Sequence, residues 1–391
     1  MALRLEEGDL LQDRYRIGPI LGKGGMALVV SAVAEDSGHR VAIKFLAPEV
    51  AEDPQVNQRF EREARAAARL KSRHVPIVFD SGKVDGAFFL VMEILDGCDL
   101  DKFLESGRKL PISGAVDVVL MACDAMAEAH SLGIVHRDLK PSNLFLAGVH
   151  PDADKATSAS APTVKVLDFG LSKSIGPHTV SGGLTSTNDV FGSPLYMSPE
   201  QLVASGKVDS RTDIWALGVV LYELLTAITP FEAETMVEVW SNIMLKPAAP
   251  LRSHRPDLPE DLERAVLKCL EKDPAQRYRT IADLAEALAP FGSSATKACV
   301  ARARALEPEG VEPPMSLVRP PLSRREPIDQ PADPLADTAS AATASKPPPT
   351  KPTRSSLLPP YLRKSKRTRN ILLALAALGV AAALAYWRLA S

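Results

Sequence analysis

The segment IVHRDLKPSNLFL occupies residues 134–146, and VKVLDFGLSK follows at residues 164–173. Asp138 in the first segment offers a carboxylate that can accept a hydroxyl proton. Lys140, two residues later, offers a cation that can reach the same transferred group. Transfer of a phosphoryl group to a hydroxyl asks a protein for positioning, cationic support and such a proton acceptor. These two side chains are therefore candidate catalytic residues for phosphoryl transfer.

Two further side chains of these segments supply ligand types that suit a hard metal ion. Asn143 offers an uncharged amide oxygen and Asp168 a charged carboxylate oxygen, and Mg²⁺ is bound through oxygen atoms. Any one of these polar residues alone could be an ordinary member of a turn. The four together, in this order, predict a phosphoryl-transfer site that includes a metal ion.

The residues before these segments predict a small β-rich lobe. Five short runs, separated by turn residues, are typical of strands: Tyr15–Ile20, Val29–Val33, Val41–Phe45, Val75–Asp80 and Ala87–Glu93. A charged amphipathic helix is predicted at about residues 54–71. Beyond Gly97 the apolar spacing becomes mostly helical, as in residues 114–132. This order predicts a small β-rich lobe followed by a larger helical lobe.

A glycine-rich segment, LGKGGMALVV at residues 21–30, lies between the first two predicted strands. Its glycines let the backbone approach a polyphosphate with amides pointing at anionic oxygen, although glycine-rich hairpins are common. The next strand carries VAIK, which ends in Lys44. A lysine at such a position usually extends to water, but Glu63 on the predicted helix would give it a buried partner. The pattern indicates a phosphate-binding loop with a lysine beside it.

In combination these segments resemble the eukaryotic-type (Hanks-type) protein Ser/Thr kinase family, particularly its bacterial branch, over about residues 10–291. DLKPSN, residues 138–143, is similar to the Ser/Thr-specific form of the loop. The resemblance implies an α+β, two-lobed protein kinase fold at residues 10–292, with an N-lobe at about 10–95 and a C-lobe at about 96–292. It implies an enzyme that transfers the γ-phosphate of ATP to Ser/Thr hydroxyls of proteins, itself included, in signalling.

The resemblance also implies how the glycine-rich segment and its neighbours bind ATP. Lys44 is implied to hold the α- and β-phosphates and to pair with Glu63. Met92 corresponds to the gatekeeper, and Glu93 to Leu95 correspond to the hinge whose backbone reads adenine. The residues implied to contact ATP are Leu21, Gly22, Lys23, Gly24, Gly25, Met26, Ala27, Val29, Ala42, Lys44, Met92, Glu93 and Leu95.

The catalytic and metal roles follow from the same resemblance. Asp138 is implied to accept the proton of the substrate hydroxyl, and Lys140 to support the γ-phosphate. Asn143 and Asp168 are implied to hold Mg²⁺, with Mn²⁺ as an alternative. Asp213, in DIWALG, matches the helix residue that braces the catalytic loop.

The activation segment is implied to run from Asp168 to Glu200, and Glu200 to pair with Arg277 of DPAQRY. Arg137, directly before the proton acceptor, would bind a phosphate on this segment through charge-assisted hydrogen bonds. The candidate phosphorylation sites are Thr185, Ser186 and Thr187. We expect a neighbouring copy of the chain to phosphorylate at least one of them, which requires self-association. The alternative is a flexible Ser/Thr-rich loop with no such role.

Four departures from the family pattern leave the catalytic groups in place. Ala27 stands where the third glycine of the phosphate loop is usual, Ser193 where threonine is frequent, and Ser198 where alanine is usual. The polar segment 148–163 makes the connection before DFG longer than is typical. We expect it to protrude into solvent as a flexible hairpin tip.

The C-terminal quarter of the chain differs in composition. Fourteen of the 32 prolines lie between Pro308 and Pro360, and a chain of this kind cannot bury enough apolar surface to offset its ordering entropy. We predict a disordered linker at residues 293–370, which ends in a basic juxtamembrane segment. Its proline clusters could instead bind a proline-reading domain.

The last apolar run, ILLALAALGVAAALAYW at residues 371–387, predicts a single transmembrane helix. A buried alanine-rich helix or a surface amphipathic helix is the alternative. RKSKRTR at residues 363–369 places five cations before the run, and only Arg388 follows it. The positive-inside rule then puts the N-terminal side in the cytoplasm. We expect a single-pass protein of the cell membrane with a cytoplasmic kinase domain.

Composition excludes several other classes. The 391 residues carry 46 Lys and Arg against 48 Asp and Glu, a net charge of −2, which argues against a nucleic-acid partner. Four scattered cysteines without C-x-x-C spacing exclude a disulfide-stapled scaffold and a cysteine-built zinc site, and they suit a reducing compartment. The N-terminus shows no signal peptide.

Three rival functions can be compared with this pattern. A pseudokinase scaffold usually lacks the lysine, the catalytic aspartate or the metal aspartate, and all three are present here. An interaction platform built on the proline-rich linker is compatible with the sequence as an additional role. A phosphotransferase for small molecules is disfavoured because SPE and Arg277, the implied end of a protein-kinase activation segment and its partner, are present.

Overall fold

The N-terminal part of the chain forms an antiparallel sheet of six strands in the order β1-β2-β3-β4-β6-β5. The computed structural model describes residues 6–24, 27–46, 61, 64, 65, 67–84, 87–107, 110–150, 163–169, 193–203 and 208–307. The strands of this sheet are β1 Leu10–Leu11, β2 Tyr15–Lys23, β3 Ala27–Ala34, β4 Arg40–Leu46, β5 Val78–Val84 and β6 Ala87–Glu93. β-Branched and aromatic residues on one face pack into the core of this lobe, with Ile43 and Phe89 fully buried.

Of the helix predicted at residues 54–71, the described positions Glu61, Ala64, Arg65 and Ala67 are helical. Ala64 is buried against the second face of the sheet. The described fragment therefore agrees with a helix that packs on the sheet.

The strand predicted at Val75–Asp80 is misplaced, since β5 covers Val78–Val84. The backbone N–H groups of Lys71 and Ser72 donate to the Glu128 carboxylate at 2.9 and 2.6 Å. These bonds hold the preceding residues in a loop, while the polar stretch DSGK pairs with β6. The Glu128 contact comes from 56 positions further along the chain, so local sequence does not reveal it.

The larger lobe is helical and surrounds a small antiparallel sheet. This sheet contains β7 Gly97–Asp99, β8 Leu144–Ala147 and β9 Thr163–Val166. The helices are α1 Leu100–Glu105, α2 Ile112–Ser131, α3 Pro199–Val203, α4 Arg211–Thr226, α5 Met236–Leu245, α6 Glu260–Cys269, α7 Ile281–Leu288 and α8 Lys297–Ala305. α2 and α4 are buried on almost every side because both are apolar around most of their circumference. They form the centre of the lobe.

The boundary predicted at residue 293 between folded domain and linker is wrong, because ordered structure continues to residue 307. Cys299 and Ala303 of α8, one helical turn apart, are buried in the core of the larger lobe. Asp117 of α2 accepts hydrogen bonds from the Ser293 N–H and the Thr296 hydroxyl, both at 2.8 Å. The proline-rich composition begins only at Pro308, so it marks the boundary better than the family pattern does.

The predicted membrane segment at residues 371–387 lies outside the described residues, as does the rest of the chain after residue 307. Within the described part, no helix has the length and apolar character needed to cross a membrane.

Candidate active site

The catalytic loop is held by a buried carboxylate of α4. Asp213 is 1% exposed, and its two oxygens accept hydrogen bonds from the backbone N–H groups of His136 (2.9 Å) and Arg137 (2.8 Å). The His130 ring bonds the same carboxylate at 2.8 Å. Burial alone would raise the pKa of Asp213, but these donors outweigh it and lower the pKa. The charged carboxylate therefore fixes the loop, which is the role that the family resemblance implies for Asp213.

His136 connects this loop to the segment that carries Asp168. Its Nε2 bonds the Leu167 carbonyl at 2.8 Å, while Nδ1 accepts the N–H of Asp138 at 3.3 Å. The carbonyl can only accept, so Nε2 carries the proton and Nδ1 is the acceptor. The ring also packs against Phe169, with ring centroids 5.1 Å apart. This neutral ring sets the spacing between the two catalytic segments.

Asp138, the candidate proton acceptor, lies within a compact polar cluster. Its Oδ2 is 3.2 Å from Lys140 Nζ and accepts a hydrogen bond from Asn143 Nδ2, also at 3.2 Å. Asn143 Nδ2 also donates to the Asp138 carbonyl at 2.7 Å. The short turn Pro141–Asn143 brings these three side chains together. The proton acceptor and a cation are thus adjacent, as the sequence predicts.

Lys44 and Asp168 join the two lobes. Lys44, at the end of β4, is 7% exposed, and its Nζ donates to Asp168 Oδ1. Burial alone would raise the pKa of Asp168, yet Lys44 beside it holds that pKa below its usual value. Glu63, the expected partner of Lys44, lies outside the described residues. In the described part of the chain, the metal-ligand candidate Asp168 pairs with the lysine.

The chemistry of this donor set fits a hard divalent cation. Asp168 presents a charged carboxylate, and Asn143 uses its amide nitrogen on Asp138, which leaves the amide oxygen available as a ligand. Asp168 has left-handed backbone with φ 59°, and Arg137 does so with φ 67°. Such conformations cost of order 1–3 kcal/mol at non-glycine residues and concentrate at functional sites.

The implied ATP-contacting residues lie on four adjacent strands, β2, β3, β4 and β6, and in the turns beside them. Gly22 pairs with Val29, and Val29 pairs with Lys44 in the register of the sheet. Ala42 pairs with Met92 on β6. Leu21, Lys23 and Gly24 continue β2 and the turn after it, Ala27 begins β3, and Glu93 ends β6 shortly before Leu95; Gly25 and Met26 lie outside the described residues. The backbone thus places the glycine turn, the lysine strand and the hinge strand next to one another.

Lys165 of β9 is a site residue that sequence reasoning missed. It is 8% exposed, and its Nζ donates to Glu93 Oε2 at 2.7 Å and to the Val75 carbonyl at 3.3 Å. The same Glu93 oxygen accepts the Ile77 N–H at 3.1 Å. Lys165 therefore ties the hinge strand to the segment that leads to Asp168. The only sequence signal was a lysine inside an otherwise apolar strand.

The predicted pair at the end of the activation segment is present. Arg277 donates from Nη1 and Nη2 to the two carboxylate oxygens of Glu200 at 2.7 and 2.9 Å. The Arg277 side chain is 0% exposed and lies over the Trp215 ring, 4.9 Å from its centroid. Arg137, the candidate phosphate-binding residue, has an exposed side chain and a carbonyl that accepts Gln201 Nε2 at 2.8 Å. Thr185, Ser186 and Thr187 lie outside the described residues.

A partly buried carboxyl group on α4, that of Glu223, lies next to the end of the activation segment. Tyr196 donates its hydroxyl to Glu223 Oε2 at 2.7 Å. Burial raises the pKa of Glu223 to about 7, although the tyrosine bond acts in the opposite direction. Nothing in the sequence distinguished this glutamate from a surface one.

Residues 15–288 match the family described as "Protein kinase domain". Among the relatives, PknB of Mycobacterium leprae is 37% identical over 279 residues, which cover 70% of this chain and 42% of the relative. Pkn1 of Myxococcus xanthus is 38% identical over 274 residues, 70% of this chain and 38% of the relative. Both are named serine/threonine-protein kinases. The matches span about two fifths of the length of these curated relatives.

Solved structures agree with this fold. The kinase domain of PknI from Mycobacterium tuberculosis superposes with a TM-score of 0.56 at 26% identity, covering 74% of this chain and 100% of that chain. A single-residue variant of that domain gives the same TM-score at 25% identity. The chain belongs to the protein kinase family, and its relatives place it with the Hanks-type serine/threonine kinases of bacteria. The expected two-lobed architecture is confirmed.

Proposed function

We propose that this chain transfers the γ-phosphate of Mg-ATP to serine and threonine hydroxyls of proteins, itself included, while anchored to the cell membrane by residues 371–387. The observation that supports the transfer is the convergence of Lys44, Asp138, Lys140, Asn143 and Asp168 from separate segments. These five side chains supply the proton acceptor, the cations and the metal ligands that phosphoryl transfer requires.

Each side chain has a distinct role in this proposal. Asp138 accepts the proton of the substrate hydroxyl as the oxygen attacks, and Lys140, 3.2 Å from that carboxylate, neutralises charge on the transferred group. Lys44 contacts the phosphates of the nucleotide and keeps Asp168 charged. Asn143 and Asp168 would hold Mg²⁺, which would supply charge stabilisation to the phosphates. Most of the catalytic effect comes from positioning, which the buried Asp213 and His136 provide.

The activity is tested by incubating the full chain with Mg²⁺ and labelled ATP and measuring phosphate on serine and threonine. Lys44→Met and Asp138→Asn should each lower the rate at saturating ATP by at least about 10²-fold, the scale of lost electrostatic or acid–base assistance. Lys246→Met, at an exposed lysine far along the chain, is the matched control and should leave the rate unchanged. Near wild-type turnover in both site variants would refute the assignment. Nucleotide binding without turnover in the wild type would indicate a pseudokinase.

The membrane anchor is supported by the uncharged run at residues 371–387 and by the cations on its N-terminal side. The full chain should sediment with membranes and resist carbonate and high salt, whereas a chain ending at Leu362 should stay in the supernatant. Protease added to sealed cells should leave the kinase domain intact. Release by salt alone would indicate that residues 363–369 adsorb to anionic lipid instead.

Self-phosphorylation is proposed at Thr185, Ser186 and Thr187, with Arg137 as the residue that binds the resulting phosphate. Tethering to a membrane raises the local concentration of neighbouring copies. Mass spectrometry of the active full chain should find phosphate on at least one of the three residues, and alanine at all three should lower the rate. An unmodified segment in a fully active chain would refute this switch.

A further inference from the structure

A buried cluster outside the active site combines an imidazole, a carboxylate and a thiol. His74, Asp124 and Cys299 are 0%, 3% and 6% exposed. One ligand atom of each lies within 4.8 Å of those of the other two. His74 lies in the loop that follows the helical residues 61, 64, 65 and 67, Asp124 lies in α2 and Cys299 lies in α8. The cluster therefore exists only when α8 packs against the rest of the lobe. Nothing in the phosphoryl-transfer chemistry uses it.

The hydrogen bonds around His74 leave one ring nitrogen available as a ligand. Nδ1 is 2.8 Å from the Val164 carbonyl, which can only accept, so Nδ1 carries the proton of the neutral ring. The lone pair of Nε2 then faces Cys299 Sγ at 3.5 Å. A histidine whose second nitrogen donates to a backbone carbonyl is the usual arrangement at metal sites.

The separation of these two atoms matches a tetrahedral zinc ion. With Zn–S of about 2.3 Å and Zn–N of about 2.05 Å, a tetrahedral angle puts sulfur and nitrogen about 3.6 Å apart. The corresponding nitrogen–oxygen separation is about 3.4 Å. Because the ligand atoms of the three residues lie within 4.8 Å of one another, the Asp124 oxygen has to approach His74 Nε2 by no more than about 1.4 Å. Ser72, whose hydroxyl donates to Asp124 Oδ1 at 2.7 Å, or a water would complete the coordination.

Charged side chains surround the cluster. Arg302 lies 3.6 Å from Asp124 and 3.3 Å from Glu128, and Arg73 also acts electrostatically on His74 and Cys299. Binding a divalent ion while the Cys299 thiol loses its proton adds one net positive charge. The Asp124 carboxylate, one of the three ligands, lies next to that charge and offsets it.

From these observations we propose that His74, Asp124 and Cys299 form a zinc site that fixes α8 to the kinase domain. Soft thiolate and borderline imidazole ligands select Zn²⁺ over Mg²⁺. The absence of C-x-x-C spacing excludes a zinc site built from cysteines. It does not exclude this site, which combines three ligand types from distant segments. Through the Val164 carbonyl at β9, it connects α8 to the strand that precedes Asp168.

The test measures metal content of the full chain, untagged, after incubation with Zn²⁺ and dialysis. We expect about one zinc per chain in the wild type and in Cys269→Ser, a matched control at a buried cysteine of α6. Cys299→Ser and His74→Gln should each retain less than about one tenth of that zinc. Co²⁺ in place of Zn²⁺ should give a thiolate-to-cobalt charge-transfer band in the wild type that is lost in Cys299→Ser.

The wild-type measurements decide the question even if a variant fails to fold. No zinc retained by the wild type, or no thiolate-to-cobalt band, would mean that His74 and Cys299 share a hydrogen bond and nothing more. Equal zinc in the wild type and in a folded Cys299→Ser would place the ion elsewhere. Either result would overturn the proposal.

Discussion

Removing Glu200 should expose how much the buried Arg277 depends on it. Among the described residues the guanidinium makes four hydrogen bonds: two to Glu200, one from Nε to the Glu271 carbonyl at 2.8 Å and one from Nη1 to the Arg211 carbonyl at 3.1 Å. Glu200→Ala deletes both charge-assisted bonds and leaves a positive charge on a side chain that is 0% exposed.

The expected cost can be worked out from these contacts. Breaking a buried ion pair by removing one partner costs about 3–5 kcal/mol. Two carbonyl acceptors and the Trp215 ring still contact the guanidinium, so the lower end of that range, about 3 kcal/mol, applies. For a domain of about 300 residues, with an unfolding entropy of about 2.1 cal/mol/K per residue, a loss of about 3 kcal/mol lowers the melting temperature by about 5 °C.

The measurement is thermal unfolding of Glu200→Ala, of Arg277→Met and of the double variant, followed by circular dichroism. The double variant should lose less stability than the two single variants lose together, because it leaves no unpaired charge. Glu200→Gln, which keeps the shape, should lose less than Glu200→Ala. A drop below about 2 °C for Glu200→Ala, or strictly additive losses, would show that the pair contributes little and would refute the reasoning.

Three further outcomes are expected. The pKa of Glu223, about 7 in the folded chain, exceeds its unfolded value of about 4.3, so stability is lost as pH rises through this interval. The free energy of unfolding of Glu223→Gln should therefore exceed that of the wild type by about 1–2 kcal/mol at pH 8, and the two should be equally stable at pH 4; the same gain at both pH values would contradict this. Lys165→Met should raise KM for ATP several-fold more than it lowers kcat, because it releases the hinge strand; a purely kcat effect in steady-state assays would be the contrary result. Gly97→Ala, with φ 139° and a Cβ that would lie 2.2 Å from the Leu146 carbonyl oxygen, should destabilise the chain far more than Gly107→Ala, where φ is 70° and nothing lies within 4 Å; similar melting temperatures for the two would exclude the clash.

The cluster of candidate catalytic groups was predictable because the chemistry of phosphoryl transfer restricts which residues can serve. Asp138, Asn143 and Asp168 lie in short segments with fixed spacing, and the structure brings the first two into one cluster with Lys140 and pairs the third with Lys44. Strands β2, β3 and β4 and the helix at residues 112–131 follow directly from the sequence pattern, whereas β1 was not predicted. These features depend on residues that are close in the chain.

The features that sequence reasoning missed depend on contacts between distant residues. Glu128 accepts the N–H groups of Lys71 and Ser72 from across 57 and 56 positions, in the loop that precedes β5. α8 docks through a short, weakly apolar stretch whose buried partners lie on α2. In the sequence Lys165 looks like any lysine within a strand, and only the folded structure shows that Glu93 is its partner. No local pattern records these partners, because the side chains involved are polar and common.

The geometry of the active site is maintained against local strain by contacts from both lobes. Arg137 and Asp168 have left-handed backbone, which is unfavourable for residues with a Cβ. Asp213 of the larger lobe holds Arg137 by its N–H, while Lys44 of the smaller lobe holds the Asp168 side chain. His136 links the two strained segments through the Leu167 carbonyl. Because one strained residue is fixed from each lobe, the spacing between Asp138, the candidate proton acceptor, and Asp168, the candidate metal ligand, depends on how the lobes meet. A change at the lobe interface would therefore alter catalysis without touching a catalytic side chain.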